Sequence, residues 1–391
     1  MERHFDRDLL ERYRPLIRFD AQEPYRAIAA ESIADNPGNL LRLADGTVLA
    51  RAGGEGAARL TLELLSAYPA GIEPSEDDRL DEAPDAVGDA RRMQAEERYR
   101  SRVYGSIATG GERTWLQYWL WLYYNPKHLL GFGKHEGDWE LVQVGLDPAG
   151  EPAVATYSQH SHGERKPFSE VEVDESDGGR HAVVYCAPFS HASYFEAGTH
   201  FYVGGTDNPD GTGEHVLPRV EELGSWLSWV GRWGNSRGVL ADWSGGKLGG
   251  RSPVSPGRQG GGKWNDPDAF HENAKERPPQ TRRVLWQLGR ATYPREPKLT
   301  KVRIEDQQAI VDYELTGNRL QQPSQLLVTV HDAEAAGEPV LISHAERIEA
   351  RRGEARVLLP RVPEQPLVRV SAFNRARQRS DVVEARPEGD H

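Results

Sequence analysis

The sequence predicts a mainly β protein: an antiparallel β-sandwich with long loops and a few helices, followed by a small β-sandwich of the immunoglobulin or fibronectin type III kind. From residue 114 onward, short runs rich in β-branched and aromatic residues are separated by Gly, Pro or Asp. The proline-punctuated segment YPREPKL then precedes closely spaced alternating runs. At 391 residues the chain is long enough for two domains, which we place at 1–290 and 298–385.

The N-terminal part of the chain predicts a short helix and an acidic insert. From Phe5 to Ile17 the apolar residues recur at helical spacing. Between residues 73 and 89, eight acidic residues and two prolines accompany a single arginine. Because this stretch has little apolar surface to bury, we expect a solvated loop or a mobile insert.

The segment TWLQYWLWLYY, which starts at Thr114, predicts a central strand of the first domain. Both of its alternating faces are apolar, which is typical of a strand that is covered on both sides. Its tryptophans are therefore expected in the core rather than on a sugar-binding surface. The segment is also far too short to cross a bilayer as a helix.

Residues 231–262 are dense in glycine and carry scattered basic side chains, which predicts a long surface loop. Arg232 and Arg251 in this stretch are candidates for binding an anionic head group or phosphate. A loop that is polar only because it is solvated is the simpler interpretation.

Charge and cysteine content limit the classes of partner and compartment. The net charge is −12, with 60 acidic residues against 48 Lys and Arg. Because phosphate neutralisation needs a basic surface, this composition argues against nucleic acid as a partner. Cys186 is the only cysteine, so no intrachain disulfide can form, and the first residues contain no apolar signal core. We therefore expect a soluble cytoplasmic protein, with peripheral membrane contact left open.

The segment GFGKHEGDWELVQV carries the candidate functional residues. In a strand, Asp138 and Glu140 share one face, and burying an ionised carboxylate without a partner costs several kcal/mol. A cation is therefore required nearby, whether an arginine, a protonated histidine or a divalent metal. Carboxylates mixed with imidazole suit Mg²⁺, Ca²⁺, Mn²⁺ or Zn²⁺, and of these we favour Ca²⁺ or Mg²⁺. The histidines that we expect in loops or at strand ends nearby are His135, His160, His162 and His191.

A purely structural interpretation of the same residues stays open. In it, Asp138 caps a turn, Glu140 pairs with an exposed arginine, and the histidines are unrelated polar groups. Two classes of site are excluded, because HEGDWE is not the metalloprotease motif His-Glu-x-x-His and GFGK lacks the spacing of a phosphate-binding loop.

Six motifs resemble, in order and spacing, the vacuolar protein sorting-associated protein 62 family over residues 118–270. They are YWLWLYYN, GKHEGDWELVQV, YSQHSHGE, HAVVYCAPFSHASYF, WLSWVGRWG and SPVSPGRQGGGKWNDP. The strength of the resemblance lies in the succession rather than in any single motif. That family has no settled biochemical activity, and the C-terminal sandwich lies outside the resemblance.

A looser resemblance connects this chain to the necrosis- and ethylene-inducing-peptide-like cytolysins. Their Gly-His-Arg-His-Asp-Trp-Glu heptapeptide helps to line an acidic metal-binding cavity in a β-sandwich. This chain differs at Lys134, Glu136 and Gly137, and these departures argue against cytolysis. The resemblance still implies a metal cavity, by analogy of site rather than of fold, with Trp139 among the ligand-binding residues. The heptapeptide positions that this chain keeps are His135, Asp138, Trp139 and Glu140.

Two functions from different classes follow. The first is a binding module, in which a divalent metal held by Asp138 and Glu140 with histidine help bridges to a lipid head group or glycan. The second is a metal-dependent hydrolase, with His135, His160 or His191 as the general base. We favour the binding module, because the acidic residues would serve a structural ion equally well. An adaptor that binds protein partners in sorting is a third option.

Overall fold

The computed structural model is mainly β, with antiparallel sheets and few helices, as predicted. The structure describes residues 1–21, 23–54, 56–82, 85–125, 135–159, 162–202, 205–235, 252–276, 295–316, 323–333, 340–348, 350–374, 380 and 383–387. No helix among these residues is long and apolar enough to cross a membrane. The chain divides into two compact units, of which the first is Met1–Phe19, Glu23–Glu196 and His215–Arg277 and the second is Asp20–Gln22, Ala197–Glu214 and Pro278–His391.

The first hundred residues form short strands and helices. In chain order these are β1 (Glu2–His4), α1 (Arg7–Tyr13), β2 (Leu16–Phe19), α2 (Glu31–Asp35), β3 (Leu40–Arg42), β4 (Val48–Arg51), β5 (Ala58–Arg59), α3 (Leu62–Ser66), β6 (Arg79–Asp81) and α4 (Ala86–Ala95). Helix α1 lies in the predicted helical stretch, where the Asp6 carboxylate caps it by accepting from the N–H of Leu9 at 3.2 Å. It ends before Pro15, which cannot continue a helix.

The described residues of the acidic stretch, 73–82 and 85–89, are folded, which corrects the expectation of a solvated or mobile insert for them. Strand β6 lies within it and joins a four-stranded sheet of order β5-β4-β3-β6. The Asp78 side chain is buried, and its carboxylate accepts hydrogen bonds from the N–H groups of Ala44 at 2.8 Å and Ser75 at 2.9 Å. Acidic residues that serve as acceptors for loop N–H groups do not need to lie on a solvated surface.

The large sheet of the first unit has the order β1-β7-β8-β9-β10-β11, with β18 beside β7. A second sheet, of order β12-β13-β2-β17, adds β14 beside β13. The elements of the first unit in this part of the chain are β7 (Arg102–Thr109), β8 (Thr114–Asn125), β9 (His135–Leu146), β10 (Pro152–Gln159), β11 (His162–Pro167), β12 (Val173–Asp174), β13 (His181–Cys186), β14 (Ser193–Tyr194), β17 (His215–Val216), β18 (Arg219–Glu222) and α5 (Pro267–Asn273), with 3-10 turns at Phe168–Glu170, Ser225–Ser228 and Pro256–Arg258. Strands β15 (His200–Tyr202) and β16 (Gly205–Asp207) pair with each other and belong to the second unit.

Strand β8 is covered on both faces, as its sequence predicts. One face contributes Trp119 and Trp121 to an apolar cluster, the first core, that also contains Trp139 and Trp233. The opposite face contributes to the second core, a separate cluster whose members include Leu120 and Leu122 of β8, Val142 and Val144 of β9 and Tyr157 of β10. The tryptophans of β8 are fully buried, so the prediction that they belong to the core is confirmed.

Residues 231–235 and 252–257 of the glycine-dense stretch are buried or half-buried in the first unit, which corrects the expectation of a surface loop for them. Trp233 is fully buried, and its indole Nε1 donates to the Ser255 hydroxyl at 2.8 Å. The guanidinium of Arg232 donates to the carbonyl of Ser252 at 3.2 Å. These contacts place this part of the stretch within the core packing rather than in solvent.

The C-terminal part of the second unit is a β-sandwich of two antiparallel sheets. One sheet has the order β19-β20-β23 and the other the order β22-β21-β24-β25. Residues of both sheets, including Val311 and Val328, share one buried apolar cluster. The strands are β19 (Lys298–Glu305), β20 (Gln308–Glu314), β21 (Pro323–Asp332), β22 (Val340–Arg347), β23 (Arg352–Leu358), β24 (Pro366–Asn374) and β25 (Val383–Ala385).

Candidate functional site

The candidate site lies where β9 begins, next to the end of β8. Asp138 and Glu140 lie on the face of β9 that continues into Val142 of the second core. Across the ladder they are opposite Leu122 and Leu120 of β8. The residues are only 8 % and 6 % exposed, so two carboxylates extend an otherwise apolar buried face.

Gly137 separates Glu136 from these two acids. Its φ of +64° is in the left-handed region, and an added Cβ would lie 2.2 Å from the carbonyl oxygen of Trp233, so only glycine fits. The carboxylate of Glu136 accepts hydrogen bonds from the N–H groups of Glu82 at 2.9 Å and Asn235 at 2.8 Å. Glu136 is therefore an acceptor for neighbouring backbone and has different partners from Asp138.

The carboxylate of Asp138 is held through one oxygen. Its Oδ2 accepts from the Asn125 amide at 3.1 Å and from Nδ1 of His191 at 3.0 Å. Burial alone would raise the pKa of Asp138, but the hydrogen bond from His191 and nearby positive charge outweigh burial and hold that pKa below its ordinary value. Asp138 is therefore ionised at neutral pH.

His191 provides the positive charge that the two acids require. Its imidazole is fully buried, with Nδ1 on Asp138 and Nε2 located 3.6 Å from Oε1 of Glu23. Burial lowers the pKa of His191, but the charge of Glu23 and the hydrogen bond to Asp138 outweigh burial and raise the pKa to about 10. Of the three kinds of cation that the sequence required, the structure contains a protonated histidine.

Glu140 is in a different state from Asp138. Its Oε2 accepts a hydrogen bond from the hydroxyl of Ser158, which in turn accepts from the N–H of Leu141 at 2.8 Å. Burial, followed by the negative charge of Asp138, raises the pKa of Glu140 to about 8. Near neutral pH this carboxyl therefore keeps its proton, and the pair carries one negative charge rather than two.

The other predicted histidines are distributed unevenly around the site. His135 is half-buried, its Nδ1 is 2.7 Å from the carbonyl of Gly137, and its charge lowers the pKa of Asp138. His162 begins β11 beside Gln159, with its Nε2 3.3 Å from Nζ of Lys275. His160 and Arg251 lie outside the described residues.

Trp139 lies in the first core, although the sequence placed it among the ligand-binding residues. It is 2 % exposed, and its ring packs against Trp121 at 5.0 Å and Trp226 at 5.5 Å between ring centroids. Residues adjacent in a strand point to opposite faces, so Trp139 is directed away from Asp138 and Glu140. Trp139 therefore packs in the first core on the opposite face of β9 from the two acids, and its ring is buried.

Three residues that complete the site were not singled out in the sequence. Asn125 ends the aromatic strand β8, and a polar residue at that position was a usable signal. Ser158 lies on β10, where the alternation of the strand brings its hydroxyl to Glu140. Glu23 is far away in sequence, and no local pattern connects it to His191.

Within the described residues, no group of three or more His, Cys, Asp or Glu side chains could hold a metal ion. Among the described residues, the site therefore offers a metal ion fewer than three such side chains. Both described hydrogen bonds to Asp138 reach Oδ2, and the described bond to Glu140 reaches Oε2. One oxygen of each carboxyl thus receives no hydrogen bond from the described residues. Carboxylate oxygens are the ligands that hard ions such as Mg²⁺ prefer, whereas both nitrogens of His191 face carboxylates.

Comparison with known families supports the first four of the six motifs, which lie within residues 100–210. Residues 100–210 match the model of the vacuolar protein sorting-associated protein 62 family. The resemblance predicted from the sequence is therefore confirmed for this region, which contains β7 to β11, Asp138, Glu140 and His191. No curated protein matches the chain.

The solved structures that match this chain, at low TM-scores, include proteins of the looser resemblance. Necrosis and ethylene inducing protein 2, from the causal agent of cocoa's witches' broom disease, is 12 % identical, with 56 % of this chain and 74 % of that chain covered and a TM-score of 0.29. The non-toxic HaNLP3 protein is 13 % identical, with 68 % and 90 % covered and a TM-score of 0.31. NLPPya in complex with glucosamine is 13 % identical, with 55 % and 72 % covered and a TM-score of 0.29. At these TM-scores the superpositions carry no argument about the fold or the site.

Proposed function

We propose that the first unit is a binding module for a polar head group or glycan, and that Asp138 and Glu140 hold a divalent cation in it. The observation that carries the proposal is the arrangement of Asp138. Its Oδ2 is fixed by two donors, while Oδ1 receives no hydrogen bond from the described residues and the side chain keeps 11 % of its exposure. An ionised oxygen at the end of a sheet, held in one orientation, is suited to bind a cation or a ligand hydroxyl.

The protonation state of Glu140 supports the same function. With a pKa of about 8, Glu140 is neutral in the free site and becomes a second anionic ligand when a cation approaches. Ca²⁺ and Mg²⁺ suit this carboxylate pair, and the ion would supply a positive charge for the polar oxygens of a ligand. Binding of the ion is therefore coupled to the release of a proton from Glu140.

The hydrolase alternative receives less support from the described residues. A general base must offer a free lone pair to the attacking water. Both nitrogens of His191 face carboxylates and the ring is fully buried, so His191 does not meet this condition. His135 keeps one ring nitrogen without a described partner and is the remaining described candidate.

A binding screen tests the proposal directly. The full chain is screened against glycans and against vesicles of neutral and anionic lipids, with Ca²⁺ or Mg²⁺ and after chelation. We expect binding to at least one class of ligand that weakens after chelation and in Asp138→Asn, while Asp78→Asn, a change in a buried carboxylate of the same unit, retains it. Binding that is indifferent to both chelation and Asp138→Asn would contradict the proposal.

A further inference from the structure

We infer that Glu23 is a positioning residue, which holds His191 against Asp138 and thereby fixes the orientation of the ligand-binding carboxylate. The inference rests on the proposed function. Glu23 belongs to the irregular segment between β2 and α2, and its side chain is fully buried. A carboxylate with no exposure needs its own partners, and the partners of Glu23 belong to two different segments of the first unit.

Each oxygen of Glu23 accepts a backbone hydrogen bond. Oε1 accepts from the N–H of Tyr25 at 2.7 Å and is also 3.6 Å from Nε2 of His191. Oε2 accepts from the N–H of Phe189. Glu23 thus connects its own segment to the loop that carries His191, and it contacts that loop both at the backbone and at the imidazole.

The loop at 187–191 has a backbone that needs such support. Phe189 and His191 have φ values of 67° and 56°, in the left-handed region that side chains other than glycine seldom adopt. Within the loop, the N–H of His191 donates to the carbonyl of Ala187 at 3.0 Å. The bond from Phe189 to Glu23 is one of the contacts that tie this conformation to the rest of the unit. Residues with strained backbone persist only when their surroundings hold them.

Loss of the contact from Glu23 affects the binding site through His191. When Nδ1 of His191 donates to Oδ2 of Asp138, the other oxygen of that carboxylate, Oδ1, is left to bind an incoming cation. When His191 is no longer held there, Asp138 keeps only the Asn125 amide on Oδ2 and can adopt other rotamers. The apparent dissociation constant rises in inverse proportion to the fraction of protein in the competent orientation, so a competent fraction of about one tenth weakens binding about tenfold.

The test uses the full chain with Glu23→Gln, His191→Asn, the double variant and the control Asp78→Asn. Asparagine tolerates the left-handed backbone at position 191. Asp78 is a matched control, because it is also a buried carboxylate that accepts two backbone N–H groups, from Ala44 and Ser75. Two quantities are measured: the imidazole ¹⁵N signals of His191, identified by their loss in His191→Asn, and the affinity for Mn²⁺ by calorimetry.

We expect Glu23→Gln to shift the His191 signals and to weaken Mn²⁺ binding about tenfold, while Asp78→Asn changes neither. Because Glu23 acts through His191, the double variant should bind Mn²⁺ no more weakly than His191→Asn. Unchanged His191 signals in Glu23→Gln, or additive losses of affinity, would overturn the inference. If Glu23→Gln does not fold, the same two quantities are measured for Glu23→Asp, whose side chain is one methylene shorter, and the same outcomes apply. A wild type without affinity for Mn²⁺, Ca²⁺, Mg²⁺ or Zn²⁺ refutes the cation of the proposed function, and the His191 signals still decide the role of Glu23.

Discussion

The two halves of strand β9 present opposite chemistry on one face. Toward its end, Val142 and Val144 pack into the second core against apolar neighbours. Toward its start, the same face carries Asp138 and Glu140, buried almost as deeply. The apolar half needs only shape and apolar area to be stable, whereas the acidic half needs specific partners for its charge and its hydrogen bonds.

The partners of the acidic half come from separate segments of the chain. Asn125 belongs to β8 and Ser158 to β10, and both are neighbours through the sheet. His191 comes from a loop and is in turn held by Glu23 from another segment. The difference between the halves indicates that the sheet provides a position for the site, while the charge balance of the site depends on residues outside the sheet.

The largest effect is expected from placing a carboxylate in the apolar half. Val144→Asp buries a charge with no designated partner, which costs several kcal/mol, a large fraction of the stability of an ordinary domain. We expect the first unit to lose its cooperative urea unfolding transition. Val144→Ala is the control for lost packing and should only shift the transition. A folded Val144→Asp protein would mean that the two halves of β9 are equivalent.

A smaller but still severe effect is expected from removing the charge partner in the acidic half. His191→Asn leaves Asp138 and Glu23 without their shared cation, and loss of one partner of a buried ion pair costs about 3–5 kcal/mol. Urea unfolding at neutral pH measures this change. The double variant Asp138→Asn/His191→Asn should be less destabilised than the sum of the two single changes. A loss below about 1 kcal/mol in His191→Asn, the level of a surface ion pair, would contradict a charged His191 at this position.

The difference between the two halves of β9 also separates the features that could be predicted from the sequence from those that could not. The two-faced character of β8 and the shared face of Asp138 and Glu140 depend on the period of two along a strand, which is a local property. The need for a nearby cation followed from the cost of burial, and protonated histidine was among the alternatives. The identity of that histidine as His191 depends on a loop conformation that no local pattern encodes.

Two expectations from composition did not hold, for a common reason. The acidic stretch that contains Asp78 and the glycine-dense stretch that contains Arg232 both contain many polar residues, and polarity suggested solvent. In the structure, Asp78 accepts hydrogen bonds from loop N–H groups, and the guanidinium of Arg232 donates to a carbonyl. Composition counts polar groups, but burial depends on whether each group finds a partner, and partners are a tertiary property.

The next effect is the stabilisation of the fold by a bound divalent ion. The sequence predicts this ion, and its presence stays a prediction. A site at one hundred times its dissociation constant stabilises the fold by about 2.7 kcal/mol if the unfolded chain does not bind the ion. Chelation should therefore lower the melting temperature of the loaded wild type by several degrees, and Asp138→Asn should largely abolish this difference. If the stripped and the loaded wild type have the same melting temperature with Ca²⁺, Mg²⁺, Mn²⁺ and Zn²⁺, the prediction that the acidic half of β9 binds a divalent ion is wrong.

The last effect, which is the smallest per pH unit and the most specific, is the pH dependence that Glu140 imposes. Its pKa is raised from 4.5 to about 8 on folding, so the native state holds this proton more tightly than the unfolded state. The stability that it contributes is fully present below about pH 4.5 and is lost as the pH rises toward 8, by up to about 1.4 kcal/mol per pH unit. The raised pKa of His191 acts in the same direction, but only above about 6.5. The window between 4.5 and 6.5 therefore separates Glu140 from His191.

Glu140→Gln keeps the shape of the protonated carboxyl and removes the titration. We expect its free energy of unfolding, measured by urea at several pH values inside this window, to vary less steeply with pH than that of the wild type. At the acid end of the window the two proteins should differ by about 1 kcal/mol or less, because the amide replaces a group that is already neutral. Parallel curves would mean that Glu140 is ionised in the fold. In that case the acidic half of β9 would contain two carboxylates and would need a second cation besides His191.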